Sequence, residues 1–306
     1  MLDYRHETFL AVYRIGSYTK AAQELNLTQP AVSQHIKALE AHYGCRLFTY
    51  ANKTLTPTPE GRLLYRFASR ISSDSDLLAE QLRQEQSSRL QLRFGATLSI
   101  GQYIMPEVLG RLLRAYPTAS LSMLVENTER LLDKLEQGSI QFALIEGLFD
   151  KSAYHSELFA LEPFIGVCSP DSPLAQGSVE LEELLATRLI VRERGSGTRE
   201  ILEHLLHGRN LSIASFPQVT EIGNMEAIKQ LVKTGLGITF LYQAAVQKEL
   251  AAGELKKLVV PGLAARSELN FVFLKDSLHT QDFLIWFRLF RESYQEALEK
   301  TDGSLE

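Results

Sequence analysis

The chain has two cysteines, Cys45 and Cys168, and a single tryptophan in 306 residues. Two thiols 123 positions apart make no disulfide framework, and they fit a reducing compartment. No apolar run reaches the length of a membrane span. The N-terminal MLDYRHETFL has neither the charge order nor the apolar stretch of a signal peptide. A cytoplasmic location and no membrane partner are therefore expected. Net positive charge is also lacking, with 32 Lys/Arg against 37 Asp/Glu and a balance of −5. What remains is ordinary, 45% hydrophobic and 23% charged, and it suffices for two or three cored domains.

Signatures of catalysis are equally sparse. GSGT (195–198) resembles half of a phosphate-cradling loop, but no Gly-Lys-Ser/Thr follows it. GLGIT (235–239) places two glycines at a helix-to-strand turn, where a C-cap is the simpler role. His204 and His207 are three apart on one expected helix without a third ligand at a known metal spacing, so a surface position explains them. Neither cysteine has a neighbour that would clearly lower its pKa. The expectation is a chain with no catalytic residues, no metal and no cofactor.

The overall charge balance hides an asymmetry. Residues 1–70 hold nine Lys/Arg and five Asp/Glu, a net of +4, whereas residues 71–306 hold 23 against 32, a net of −9. A basic head suits phosphate contacts and an acidic body does not. Within that head, SYTKAAQELNLTQPAVSQHIKALEAHYG (17–44) reads as two short helices and a turn. Ser17 and Thr28 can cap them, and Pro30 falls in the second helix's opening turn. Val32, Ile36 and Leu39 form a buried-type stripe on that helix. Gln29, Ser33 and Lys37 recur every four residues on another face and aim amide, hydroxyl and ammonium groups outward, as a DNA major groove requires. RLFTYANKTLTPTPEG then describes two short strands around Asn52–Lys53, a wing beside the helix-turn-helix.

The ordered string AAQELNLTQPAVSQHIKALEAHYGCRLF…LTPTPEG resembles the N-terminal domain of LysR-type transcriptional regulators, and length and downstream organisation extend the resemblance over nearly the whole chain. It implies an α/β multidomain protein with an N-terminal winged helix-turn-helix (1–57), a long linker helix and hinge (58–89), and a C-terminal bilobal, periplasmic-binding-protein-like effector domain (90–306). Lobe I would comprise about 90–162 and 268–306, and lobe II about 163–267. One departure is Tyr50, where the family usually has a basic residue. The expected DNA-contacting residues are Ser17, Thr19, Thr28, Gln29, Pro30, Ser33, Gln34, Lys37 and Lys53. The partners implied are double-stranded operator DNA and further copies of the chain as a dimer of dimers, and RNA polymerase is admitted as another.

Residues 58–86 read as one helix with Leu64, Phe67, Ile71, Leu78 and Leu82 on a narrow stripe, a seam for pairing with its copy. Gln84–Arg89 would be the hinge. From Leu90 strands and helices alternate: LQLRFGA, helix 103–115, LSMLVE, helix 128–137, IQFALIEG, then 188–193, helix 197–207, strand 216–221, helix 223–234, strand 237–242 and helix 243–251. That rhythm implies parallel sheets with helical crossovers. Crossings between lobes are expected near 163–169 and 263–269, with helix 281–298 returning to the first lobe.

A ligand is expected between the lobes, beyond the strand ends. The two corners are ATLSIG, with Thr97 and Ser99, and RGSGT, with Ser196 and Thr198. Hydroxyls at helix starts favour a small anion as effector. Thr128, Glu146, Glu221 and Asn224 are further candidates, and Arg194 is a candidate countercharge. Glu146 would oppose an anion if it faced inward. The rival reading is a solute-binding protein or enzyme whose N-terminal helices only dimerise.

Overall fold

The computed structural model describes residues 3–51, 54–84, 91–261, 263, 265–275 and 277–302. They gather into two compact units, residues 1–88 with 136–139 and residues 89–135 with 140–306.

The first unit begins with α1 (Tyr4–Ile15), α2 (Tyr18–Glu24) and α3 (Gln29–Tyr43). Asp3 caps α1, Ser17 accepts from the Lys20 N–H and Thr28 from the Ala31 N–H, so each helix start has a side chain for an otherwise unpaired donor. Between α2 and α3, Asn26 takes φ 54°, and the Leu27 N–H returns to the Ala22 carbonyl at 2.8 Å. That is a left-handed helix stop of the kind Asn tolerates. Val32, Ile36 and Leu39 are buried with Phe9, Val12, Ala21 and Ala22, so the expected stripe is the core face of α3. Strands β1 (Phe48–Ala51) and β2 (Thr54–Pro57) pair antiparallel, Thr49 opposite Thr56. The wing tip, with Lys53, lies outside the described residues.

Helix α4 (Pro59–Gln84) starts against this core. The Thr58 N–H donates to the Leu47 carbonyl at 3.0 Å, and a Cβ at Gly61 would lie 2.1 Å from that oxygen. Tyr65 stacks on Tyr13 at 3.8 Å between ring centroids. The apolar row differs by one residue from the sequence expectation. Leu64 packs against the core, whereas Leu63 joins Phe67, Ile71 and Leu78 on the exposed side. The helix leans on its own wing domain through the 64, 65 and 68 positions, which rotates the outward row by one step. The side chain of Leu82 and the expected hinge after Gln84 are outside the described residues.

The second unit runs β3 (Gln91–Ala96), α5 (Leu98–Tyr103), α6 (Met105–Ala115), β4 (Ser120–Val125), α7 (Thr128–Glu136), β5 (Phe142–Glu146), β6 (Tyr154–Cys168), α8 (Leu181–Leu185), β7 (Leu189–Val191), α9 (Gly197–His207), β8 (Val219–Glu221), α10 (Met225–Lys233), β9 (Thr239–Tyr242), α11 (Gln243–Ala251), β10 (Lys256–Leu258), β11 (Ala265–Leu274) and α12 (Thr280–Asp302). The sheet order is β10-β6-β11-β5-β3-β4, with β9 also on β6; β7 pairs β8 in parallel and reaches the strand-β9 approach through a Leu189–Ile238 bridge. Strands β3, β4 and β5 are parallel as expected, but β6 and β11 run antiparallel to their neighbours. The sheets are therefore mixed. The reason is that β6, 15 residues long, pairs with β11 along its first part and with β9 and β10 at its end, so one strand serves both lobes.

Strand β5 is buried throughout because both its faces are covered. Phe142 stacks on Phe94 and Phe271 under Phe290 of α12, while Ala143 and Ile145 meet Leu131 and Leu135 of α7. Lobe II has its own core of Ile165, Val167, Ile190, Ile228, Val232 and Leu241. The expected helix 103–115 is α6, and it is preceded by a short extra helix, α5, separated from it at Ile104 because Pro106 cannot donate into a continuous ladder. Tyr103 at the end of α5 packs on the lobe II core beneath the Lys229 ammonium, 4.8 Å from its ring centroid. Lys229 is itself held by Glu249 at 2.7 Å and Glu226 at 2.9 Å. This anchors α5, and with it the first corner of the cleft, to the opposite lobe.

Candidate functional site

Two surfaces carry the functional reading. On the first unit, Gln29, Pro30, Gln34 and Lys37 are exposed and Ser33 is half-exposed, on the side of α3 away from Val32, Ile36 and Leu39. Thr19 and Thr28 are exposed and Ser17 half-exposed at the starts of α2 and α3. A helix clamped by a three-residue stripe with its polar row free is shaped to enter a major groove. Tyr50 on β1 is 72% exposed.

The second surface is buried where β3, β5 and β7 end. Thr97 follows β3, Ser99 lies in the first turn of α5, and Glu146 ends β5; from lobe II come Arg192 after β7 and Ser196, Gly197 and Thr198 at the start of α9. The Glu146 carboxyl is 1% exposed and its Oε1 accepts from Ser99 Oγ at 3.0 Å and from Thr198 Oγ1 at 2.7 Å. Its own carbonyl accepts from Thr128 Oγ1 at 2.8 Å. The lobes meet so closely here that a Cβ on Gly197 would lie 2.3 Å from the Glu146 carbonyl oxygen. Glycine at 197 is a condition of that approach.

Burial dominates the electrostatics of Glu146 and pushes its pKa up to about 6, against the pull of the Thr198 and Ser99 hydroxyls and the Arg192 charge. Arg192, 2% exposed, donates through Nε and Nη2 to Glu193 at 2.8 and 2.9 Å. Its Nη1 and Ser196 Oγ have no protein partner, and the Thr97 hydroxyl adds its pull on the Glu146 carboxyl. Buried polar atoms left unpaired cost about 1–3 kcal/mol each.

A model of the bacterial regulatory helix-turn-helix proteins of the lysR family matches residues 5–62, and one of the LysR substrate binding domain matches residues 85–295. The chain belongs to the LysR family. Among curated relatives of this LysR-type transcriptional regulator, the uncharacterized HTH-type regulator YeiE of Escherichia coli K12 is 35% identical over 83% of this chain and 85% of its own. The Mycobacterium tuberculosis ArgP structure covers 96% of this chain and 98% of its own at a TM-score of 0.70 and 18% identity. The Synechocystis CcmR regulatory domain in complex with 2-PG covers 65% of this chain and 95% of its own at a TM-score of 0.57 and 26% identity.

Of the expected cleft residues in this LysR-family protein, Thr97, Ser99, Thr128, Glu146, Ser196 and Thr198 come together. Glu221 and Asn224 do not. Glu221 is exposed and ion-paired with Arg199, because β8 is an outer strand and its end points to α9. Asn224 is exposed and caps α10, accepting from the Ala227 N–H at 2.9 Å. Arg194 is exposed as well. The buried cation at this corner is Arg192, which sequence reasoning missed; its signal was a cation directly after the wholly apolar run Leu189–Val191. His204 and His207 are both exposed.

Proposed function

We propose that this LysR-type regulator reads operator DNA with Gln29, Pro30, Ser33, Gln34 and Lys37 of α3, with Ser17, Thr19, Thr28 and Lys53 on neighbouring phosphates, and that a small molecule in the interlobe cleft adjusts the binding or bending of that DNA. The observation that carries the reading is the free polar face of α3 above its buried stripe. The division of labour follows 1–57 for DNA, 58–89 for the linker helix and hinge, and 90–306 for the effector.

Copies of the chain pair through the outward row of α4, where Leu63, Phe67, Ile71 and Leu78 are each 44–57% exposed. Pairing hides that row and presents two α3 helices to half-sites about 34–36 Å apart. Two such pairs form a tetramer. The cytoplasm is the place for such a protein, and among the described residues no helix is long and apolar enough to cross a membrane. This reading assigns no catalytic step.

The effector reading rests on the unpaired atoms of the cleft, with the CcmR regulatory domain and its 2-PG as a precedent in a relative of similar fold. A ligand that favours one lobe arrangement shifts the equilibrium by its differential affinity. Gel retardation of genomic fragments by the full chain tests the whole: selective retardation that weakens steeply with salt is expected. Failure to retard any fragment at low salt would refute it.

A further inference from the structure

The polar row of α3 does not stop at Lys37. Glu40 follows Ser33 by seven residues, and at about 100° per residue that brings it within about 20° of the same line. It also lies about 10 Å further along the axis. A major groove is about 12 Å wide, so a helix whose opening turns reach base edges carries Glu40 out towards the flanking phosphates. A bare carboxylate there would meet like charge.

That carboxylate is turned to another use. The Glu40 side chain is 13% exposed; its Oε1 accepts from the Leu47 N–H at 2.9 Å, and its Oε2 lies 3.5 Å from Arg46 Nη1. The Glu40 carbonyl accepts from the Cys45 N–H at 3.2 Å. On the other side, Thr58 Oγ1 donates to the Arg46 carbonyl at 2.7 Å and accepts from the Gly61 N–H at 2.9 Å. The backbone of Arg46 is thus held between the end of α3 and the start of α4, while its side chain is 80% exposed. One guanidinium nitrogen meets Glu40. A guanidinium has five N–H donors in a planar fork that matches a phosphate.

Resting on the reading that the polar row of α3 enters the groove, we infer that Arg46 is a further DNA contact, a phosphate clamp at the end of that row, and that Glu40 positions it. Arg46 neutralises the acid of the row and gives its remaining N–H groups to the DNA backbone. It adds affinity and register without reading sequence.

The test is gel retardation by the full chain over a range of salt, with a genomic fragment that the wild type retards selectively and with unrelated duplex DNA. Arg46→Gln should lower the slope of log K against log salt by about 2 for a bound dimer, one contact per protomer. Both DNAs should weaken alike, so the ratio between them stays. Arg46→Lys keeps the charge and should keep the slope. Glu40→Gln retains an acceptor for the Leu47 N–H and removes the acid; added to Arg46→Gln, it should leave the slope low. A slope that returns in this double variant would show that Arg46 only screens Glu40, and would overturn the contact. An unchanged slope in Arg46→Gln, a loss confined to the selected fragment, or a slope equally low in Arg46→Lys overturns it too. If Lys53→Ala lowers the slope and Arg46→Gln does not, only this inference fails. If neither does, and Gln29→Ala/Ser33→Ala discriminates like the wild type, the reading of the row fails with it. Retardation of no fragment at low salt overturns both.

Discussion

Replacing Glu146 by Gln should make the protein more stable at neutral pH and leave it unchanged in acid. The side chain keeps its shape and one carbonyl-type acceptor for Ser99 and Thr198, loses the buried charge, and carries an amide donor where the protonated acid carries its O–H. Burial raises the folded-state pKa from 4.5 to about 6, with the hydroxyls and Arg192 already pulling the other way. A carboxyl with a raised folded pKa holds its proton more tightly in the native state than in the unfolded chain. Its favourable contribution is complete below about 4.5 and is lost as pH rises through about 6. The shift corresponds to about 2 kcal/mol of cost above that window, with no discount for solvent because the group is 1% exposed. Trp286 on α12 is the only tryptophan and belongs to the second unit, so urea unfolding followed by its fluorescence reports on that unit. Glu146→Gln should exceed the wild type by about 2 kcal/mol at pH 7–8, and the two should converge below about pH 4.5. A difference that does not change with pH, or a variant weaker than wild type at neutral pH, would refute the electrostatic account.

Other consequences are as direct. Gly61→Ala forces the α4 entry away from the Leu47 carbonyl, a 2.1 Å clash with backbone; it should cost about 1–3 kcal/mol in the first unit, seen as faster amide exchange in α1 and α3. Glu249→Leu strips Lys229, 4% exposed, of its shorter partner, with a loss on the order of 2–3 kcal/mol by Trp286 fluorescence; adding Lys229→Met should recover most of it, and no recovery would contradict the pairing. Phe67→Asp with Ile71→Asp should convert assemblies to monomers in sedimentation at unchanged helix content. Lys53→Ala should lower the slope of log K against log salt by about 2 for a DNA-bound dimer, and an unchanged slope would remove Lys53 from the phosphate contacts.

Much of this was legible in the residues because spacing speaks for one buried face at a time. The stripe Val32, Ile36, Leu39 located both faces of α3, and caps at Ser17 and Thr28 located the starts of α2 and α3. Where an element is covered on both sides, spacing is silent. Every residue of β5 is buried, so nothing in FALIE told whether Glu146 would turn inward. Likewise Arg192 and Arg194 differ by two positions at a strand exit, and only the path of the chain into α9 buries one and exposes the other. The first half of β6 was unreadable because its burial pattern is irregular, and α5, six residues long, was too short for a period. Leu63 and Leu64 were indistinguishable until the wing's core fixed the rotation of α4.

The decisive measurement is sequence discrimination by α3. With a genomic fragment retarded selectively by the wild type, affinity for that fragment is compared with affinity for unrelated DNA in Gln29→Ala/Ser33→Ala. The account predicts that the ratio collapses, by about 1–3 kcal/mol for each base-edge hydrogen-bonding side chain removed, while unrelated DNA is bound as before. A double variant that discriminates as well as the wild type would contradict it.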